Sequence, residues 1–440
     1  MIMRPKAKLP VLFLAFARLV PCFAGPSGPP SEFGVDAPEL ARLGDSAVGV
    51  RTLTLVQRKQ EDVLSFAGGS FQKGDRALTV DLWYPAVVPE GAKRETYTAS
   101  LPSEPPAPPA NFTVPGIAVR DAPPAGKAHP LVVVSHGNSN VPAAMTWLTE
   151  NLASKGYVVA AIRHDDPPLT DKTKFAQPLV RRPLDVAYVT ETLKGILARE
   201  HLIDPSRVAL VGYSMGGYGV LTAAGATLDP NSPIMAMVPG ALLNRYARGG
   251  SKSGALVVKG VRAVVAIAPA GGGTLAAWGA EGLRGINTPL LLIAGSLDHR
   301  VGYSNGARMI FDNATNAERY LLTFKEAGHS IGLNPAPDAM RAKLWDQDWF
   351  EDPVWRAERV NAVNAHFITA FLDRYVRGEV SRDSYLNVAA PDADAGTWPA
   401  TDTSPYAAYS SGADGNSVWK GFQRSHGVGL DLQKAGPHAN

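Results

Sequence analysis

Cysteine is almost missing from this sequence: Cys22 is the only one in 440 residues. That excludes a disulfide-stapled design and leaves stability to one large buried core. Long apolar runs are scarce too. Leu9–Ala17 is short and is followed by Arg18, and no later stretch reaches the roughly 20 residues that a membrane-spanning helix needs. Neither charge sign dominates, with 43 Lys and Arg against 40 Asp and Glu. No basic run interleaves with aromatics, so nucleic acid is not an expected partner. A dinucleotide fingerprint, a P-loop and zinc-ligand spacing are all absent, and no cofactor or metal is expected. No internal repeat is apparent.

The N-terminus reads as a secretory signal over residues 1–24. Arg4, Lys6 and Lys8 precede the apolar Leu9–Ala17, and Cys22-Phe23-Ala24 resembles a small-x-Ala cleavage site. Acylation of Cys22 as a lipoprotein is a minor alternative, since Pro21 is a poor residue before such a cysteine. Cleavage after Ala24 would remove four basic residues and no acid, leaving 39 basic against 40 acidic, a net charge of about −1. The expected location is therefore secreted or periplasmic. Residues 25–47, with several Pro, Gly and Ser, read as a flexible leader.

Strand signals dominate the chain beyond the leader. Val48–Val56 and Arg76–Pro85 alternate as an antiparallel edge pair. The Pro-rich stretch 87–129 reads as an irregular surface excursion. From Pro130 onward strands and helices alternate: a strand at 130–135, a helix near 141–155, a strand at 157–162, a helix near 183–199 and a strand at 208–213. That pattern predicts an α/β fold, a mostly parallel sheet with helices on both faces. Its ligands belong at the carboxyl ends of the strands. The single domain is expected to run over 48–378, with a catalytic core at 130–378 and a tail at 379–440. In that tail Trp419–Phe422 and Gly429–Leu432 could dock on the body. Segments 228–260 and 331–353 are candidate pocket walls.

The 208–213 strand breaks into Gly212-Tyr213-Ser214-Met215-Gly216, a Gly-x-Ser-x-Gly turn followed by a small, apolar helical run. A lone Gly-x-Ser-x-Gly says little in a chain with 43 glycines. Strand before and helix after make it a nucleophile elbow. A serine hydroxyl needs a histidine to take its proton and a carboxylate to orient that histidine. Pro289–Asp298 is an apolar strand ending at Asp298, and Arg319–Phe324 is another, followed by a Gly-flanked loop that presents His329. His299 adjoins Asp298 and is poorly placed as a base. His366 lies in a helical run, and His426 and His438 lie in the tail. For the oxyanion, the backbone N–H groups of Met215 and of Asn138, after Ser135-His136-Gly137, are the candidates.

Other clusters have blander readings. Arg181–Asp185 reads as a helix start, with Asp185 in the first turn complementing the dipole and an ion pair that positions the helix as its role, ahead of catalysis. His164-Asp165-Asp166, followed by two prolines, reads as solvated or as a pocket rim rather than as metal ligands.

Taken in order, Trp83–Ala86, Ser135–Gly137, Leu152–Val159, Arg182–Asp185, Gly212–Gly217 and Trp419–Phe422 resemble the secreted bacterial α/β-hydrolases of the predicted dienelactone hydrolase family. Those proteins are related to platelet-activating-factor acetylhydrolases. The resemblance covers most of 48–432 and implies the α/β-hydrolase fold. It also implies a serine esterase on short acyl esters, with Ser214, Asp298 and His329 as the triad and a small-molecule ester as substrate. A polyester or lipid hydrolase of the same mechanism is the alternative. A peptidase of the prolyl-oligopeptidase type is less favoured, because no propeller repeat lies upstream. Two departures stand out. True dienelactone hydrolases use a cysteine nucleophile, and Tyr213 stands where His often precedes the serine in acetylhydrolases and polyester hydrolases.

Overall fold

A computed structural model of the chain describes residues 28–126, 128–397, 417–423 and 426–437. The expected signal segment with Cys22, and His438, lie outside these residues. Strands β1 (Val48–Glu61) and β2 (Lys73–Pro85) come first. Next are β3 (Thr96–Leu101), β4 (Ala110–Pro115) and β5 (Val119–Arg120), then β6 (His129–Ser135), β7 (Val158–Arg163) and β8 (Ile203–Tyr213). The last four are β9 (Val261–Ile267), β10 (Leu290–Gly295), β11 (Arg319–Phe324) and β12 (Leu430–Ala435). The main helices are α1 (Thr146–Ser154), α2 (Ala176–Arg199), α3 (Met215–Ala223) and α4 (Ala357–Leu372).

Ten strands form one sheet in the order β12-β11-β10-β9-β8-β6-β7-β2-β1-β5. The six from β11 to β7 are parallel. β12 and β2 join that block antiparallel, and β1 pairs antiparallel with β2 as expected. The parallel strands read as continuous apolar runs because both of their faces are covered. In β6, Leu131 and Val133 enter the core on the side of α2 and α3, while Val132 and Val134 enter the core on the side of α1 and α4. β8 splits the same way, with Val208 and Leu210 on one side and Ala209 and Val211 on the other. From β6 the chain moves outward to β7, then returns to place β8 on the opposite side of β6. The order reverses there, so a crevice opens between the loops after β6 and β8.

Four expectations are corrected. The helix expected near 183–199 starts at Ala176, so Pro183 lies inside it. Proline leaves the carbonyl four residues back without its donor, and the Tyr218 hydroxyl donates to that carbonyl, Leu179, at 3.0 Å. Asp185 is therefore in the helix body rather than its first turn. The 87–129 excursion contains a hairpin, β3–β4, whose alternating Tyr97, Leu101, Phe112 and Val114 are buried; its flanking prolines masked that alternation. The leader expected to be flexible packs along 31–41: Ser31 Oγ donates to the buried Glu150 at 2.9 Å, and Ala37 and Ala41 are buried. Within His164–Asp166, His164 and the Asp166 carboxylate are buried rather than solvated, while Asp165 is exposed. In the tail, Trp419 and Phe422 are buried, and β12 extends the sheet beside β11 with Phe324 opposite Leu430.

Candidate active site

Ser214 sits between β8 and α3 with φ 53° and ψ −116°, a conformation costly for a residue with a side chain. The surroundings hold it there. Its N–H donates to the Ile267 carbonyl at 2.9 Å, and its own carbonyl accepts from Ala270 N–H at 2.9 Å. The two motif glycines are needed for room. A Cβ at Gly212 would lie 2.3 Å from the Gly216 oxygen, and one at Gly216 1.9 Å from the Ser135 oxygen. The result is a hydroxyl raised clear of the sheet at the start of a helix.

Two loops converge on it. His329, beyond β11, places Nε2 3.0 Å from Ser214 Oγ, and its Nδ1 lies 2.8 Å from Asp298 Oδ2. The imidazole stacks on Tyr213 at 5.4 Å between ring centroids, and the Tyr213 hydroxyl donates to the His329 carbonyl at 3.2 Å. Asp298, beyond β10, accepts through Oδ1 from the Arg300 and Val301 amides at 2.9 and 3.1 Å. Burial pushes the Asp298 carboxyl up, but the His329 hydrogen bond and those amides outweigh it and hold the pKa below the usual carboxylate range. The three residues expected to act together are thus brought into one hydrogen-bonded row.

The loop after β6 faces the same point. Among the described residues neither the Asn138 nor the Met215 N–H meets an acceptor. The His136 and Gly137 carbonyls and the Ser139 N–H on either side of Asn138 are, by contrast, engaged. Arg182, its side chain fully buried on α2, donates to the His136 carbonyl, to the Gly137 carbonyl at 2.8 Å and to Asp166. Asp166 in turn accepts from Ser139 N–H at 3.1 Å. An ion pair therefore clamps the loop on both sides of the free Asn138 amide. Nothing in the local sequence around Arg182 and Asp166 announces this part. The alternation of apolar residues in α2 could have shown that Arg182 faces inward.

A second Ser-His-Asp array lies nearby: His164 Nε2 is 2.9 Å from Ser135 Oγ, and its Nδ1 is 2.9 Å from Asp185 Oδ2. Asp185 also pairs with Arg76 at 2.5 Å. Burial separates the two arrays. Ser135 and Asp185 are wholly inaccessible and His164 nearly so, whereas Ser214 and His329 line a cavity of about 600 Å³. Burial first, and then Arg182, pushes the His164 imidazole well below its usual range, so it stays neutral. This array ties β2, β6, β7 and α2 together. His299 lies beside the cleft away from Ser214, and His366 is buried in α4. Among the described residues no group of three or more His, Cys, Asp or Glu is placed to hold a metal.

The cavity over Ser214 is mainly apolar, with Leu169, Phe175, Met237, Leu275 and Trp349 in its walls. Met237 comes from the expected wall segment 228–260, and Trp349 from 331–353. Residues 167–175 add a third side that the sequence reading had not assigned. Among the described residues no helix is long and apolar enough to cross a membrane.

Residues 122–245 match a family model described as PETase, PET hydrolase-like. Over 104 residues the chain is 34% identical to Cutinase est2 of Thermobifida alba, a match spanning 23% of this chain and 32% of that protein. Over 103 residues it is 32% identical to Cutinase 2 of Thermobifida cellulosilytica, spanning 23% and 37%. The chain thus matches about a third of the length of these curated relatives. A solved ferulic acid esterase from Streptomyces cinnamoneus superimposes with a TM-score of 0.52 at 22% identity, covering 78% of this chain and 94% of that one. That likeness is one of fold.

Proposed function

We propose that this chain, an α/β-hydrolase in fold, is a serine carboxylic ester hydrolase that works through an acyl-enzyme without a cofactor. The observation that carries the reading is the hydrogen-bonded row Ser214–His329–Asp298, which opens on an apolar cavity beside two unengaged amides. Ser214 Oγ attacks the acyl carbonyl carbon as His329 Nε2 takes its proton. The Asn138 and Met215 N–H groups receive the developing oxyanion, at no reorganisation cost because the loop and the helix start are already fixed. His329 then protonates the leaving alcohol. Water enters, gives its proton to His329, attacks the acyl carbon and releases the acid and Ser214. Asp298 holds the imidazole in the tautomer with its proton on Nδ1 and stabilises the cation that forms.

The substrate proposed is a short-acyl, small-molecule ester. Esters within a polymer are the second reading, favoured by the PET hydrolase-like match and the cutinase relatives. The N-terminal segment 1–24 supports a secreted or periplasmic enzyme. The test is hydrolysis of p-nitrophenyl esters from acetyl to palmitoyl. Activity should peak among the short chains. A peak at ten carbons or more would overturn the short-acyl assignment, and no turnover of any ester would overturn the hydrolase reading.

A further inference from the structure

The cavity over Ser214 shares part of its wall with another. A second cavity of about 630 Å³ adjoins it, and Ala270, Thr274, Leu275, Arg300 and Val301 line both. The two differ in chemistry. The second has a floor of backbone, Gly271–Gly273, and polar walls that include Ser296, His299, Tyr303 and Asn305. The floor stays bare because side chains do not fit. A Cβ on Gly271 would lie 2.3 Å from the Trp278 ring, and one on Gly272 2.7 Å from the Asn305 carbonyl oxygen.

Among the described residues Asp298 is the sole carboxylate in this wall, and both its oxygens are occupied, Oδ2 by His329 and Oδ1 by the Arg300 and Val301 amides. Arg300 is in a different position. Its backbone is fixed by that bond to Asp298, while its side chain is exposed and makes no ion pair among the described residues. A guanidinium is planar, always charged and purely a donor, and matches a carboxylate two bonds at a time. Presented from a rigid turn, it meets such a group with less ordering to be done on binding.

We propose that the second cavity is a subsite for a carboxylate carried by the ester at a distance from its scissile carbonyl, with Arg300 as counter-ion. The proposal rests on the ester-hydrolase reading and adds a substrate class to it, acidic esters and half-esters.

Two substrate pairs test it. One places the charge on the acyl side: the p-nitrophenyl half-ester of glutaric acid against p-nitrophenyl pentanoate. The other places it on the alcohol side: the butyrate ester of 4-hydroxybenzoate against phenyl butyrate. The readout is the ratio of kcat/KM, anionic over neutral, in the wild type, Arg300→Gln and Arg300→Lys. In one pair, which identifies the half of the ester that enters the subsite, Arg300→Gln should lower the ratio about three- to tenfold, mainly through KM. Arg300→Lys should keep most of it, and about 0.5 M salt should erode it in the wild type. Ratios unchanged by Arg300→Gln in both pairs would overturn the subsite. Failure of the ester-hydrolase reading looks different, because then no member of either pair turns over. Calorimetric binding of glutarate to wild type and Arg300→Gln would then decide: weaker binding to the variant supports the subsite, and equal or undetectable binding overturns it.

Discussion

At the scale of single residues, the site depends on groups of two kinds. Ser214, Asp298 and His329 were legible because each follows an apolar strand at a recognisable turn, so order along the chain stood in for position in space. Arg182 was not legible in that way. A lone arginine in a helix reads as surface unless the inward face of that helix is known, and the start of α2 was displaced by Pro183. Yet Arg182 is the group that holds the His136 and Gly137 carbonyls and so aims the Asn138 amide. Lysine in its place would keep a charge beside Asp166 but lacks the fork that reaches both carbonyls. Arg182→Lys should therefore lower kcat about 10- to 100-fold with KM little changed, approaching the loss of one oxyanion donor. Steady-state kinetics alongside a melting curve separates this from unfolding, and wild-type kcat in Arg182→Lys would remove it as a positioning residue.

At the scale of elements, the parallel strands were foreseen because burial on both faces leaves an unbroken apolar run, which composition displays directly. The β3–β4 hairpin was missed because prolines at its flanks outweighed a short alternation, and the start of α2 because a tyrosine from another helix meets the carbonyl that Pro183 abandons. The tail shows how remote elements reach the site. Trp419 packs on Phe367 of α4 and donates to the Ala390 carbonyl at 2.8 Å. α4 in turn fixes the chain just past His329, with Asn361 donating to the Leu333 carbonyl and Asn364 to that of Ile331, both at 2.8 Å. Trp419→Ala should cost about 3–5 kcal/mol of stability by urea denaturation. A loss below about 1 kcal/mol would mean that the tail is not part of the core.

At the scale of the whole molecule, protonation is built into the fold. His136, His164 and His366 are all buried, and burial pushes each imidazole below its usual range, His366 to about 3. The native state then stays unprotonated where the unfolded chain takes up protons. The unfolded state binds more protons below about pH 6.5, and stability falls as pH drops through that value. Asp185, raised by burial to about 6, acts in the opposite sense between about 4 and 6. From His366 alone the loss between pH 7 and 5 is about 2 kcal/mol. His366→Gln, which can still accept from Leu40 N–H, should flatten the decline by that amount in denaturation curves at the two pH values. An unchanged slope would mean that His366 titrates normally in the folded protein.

The central claim is that Ser214, and not the sealed Ser135, is the nucleophile of this fold. The most direct measurement is covalent labelling by a fluorophosphonate, followed by mass spectrometry of the peptides. The expected result is one adduct per chain, on Ser214, formed as ester hydrolysis is lost and absent from Ser214→Ala. An adduct on another serine, or full hydrolytic activity with Ser214 labelled, would contradict the account.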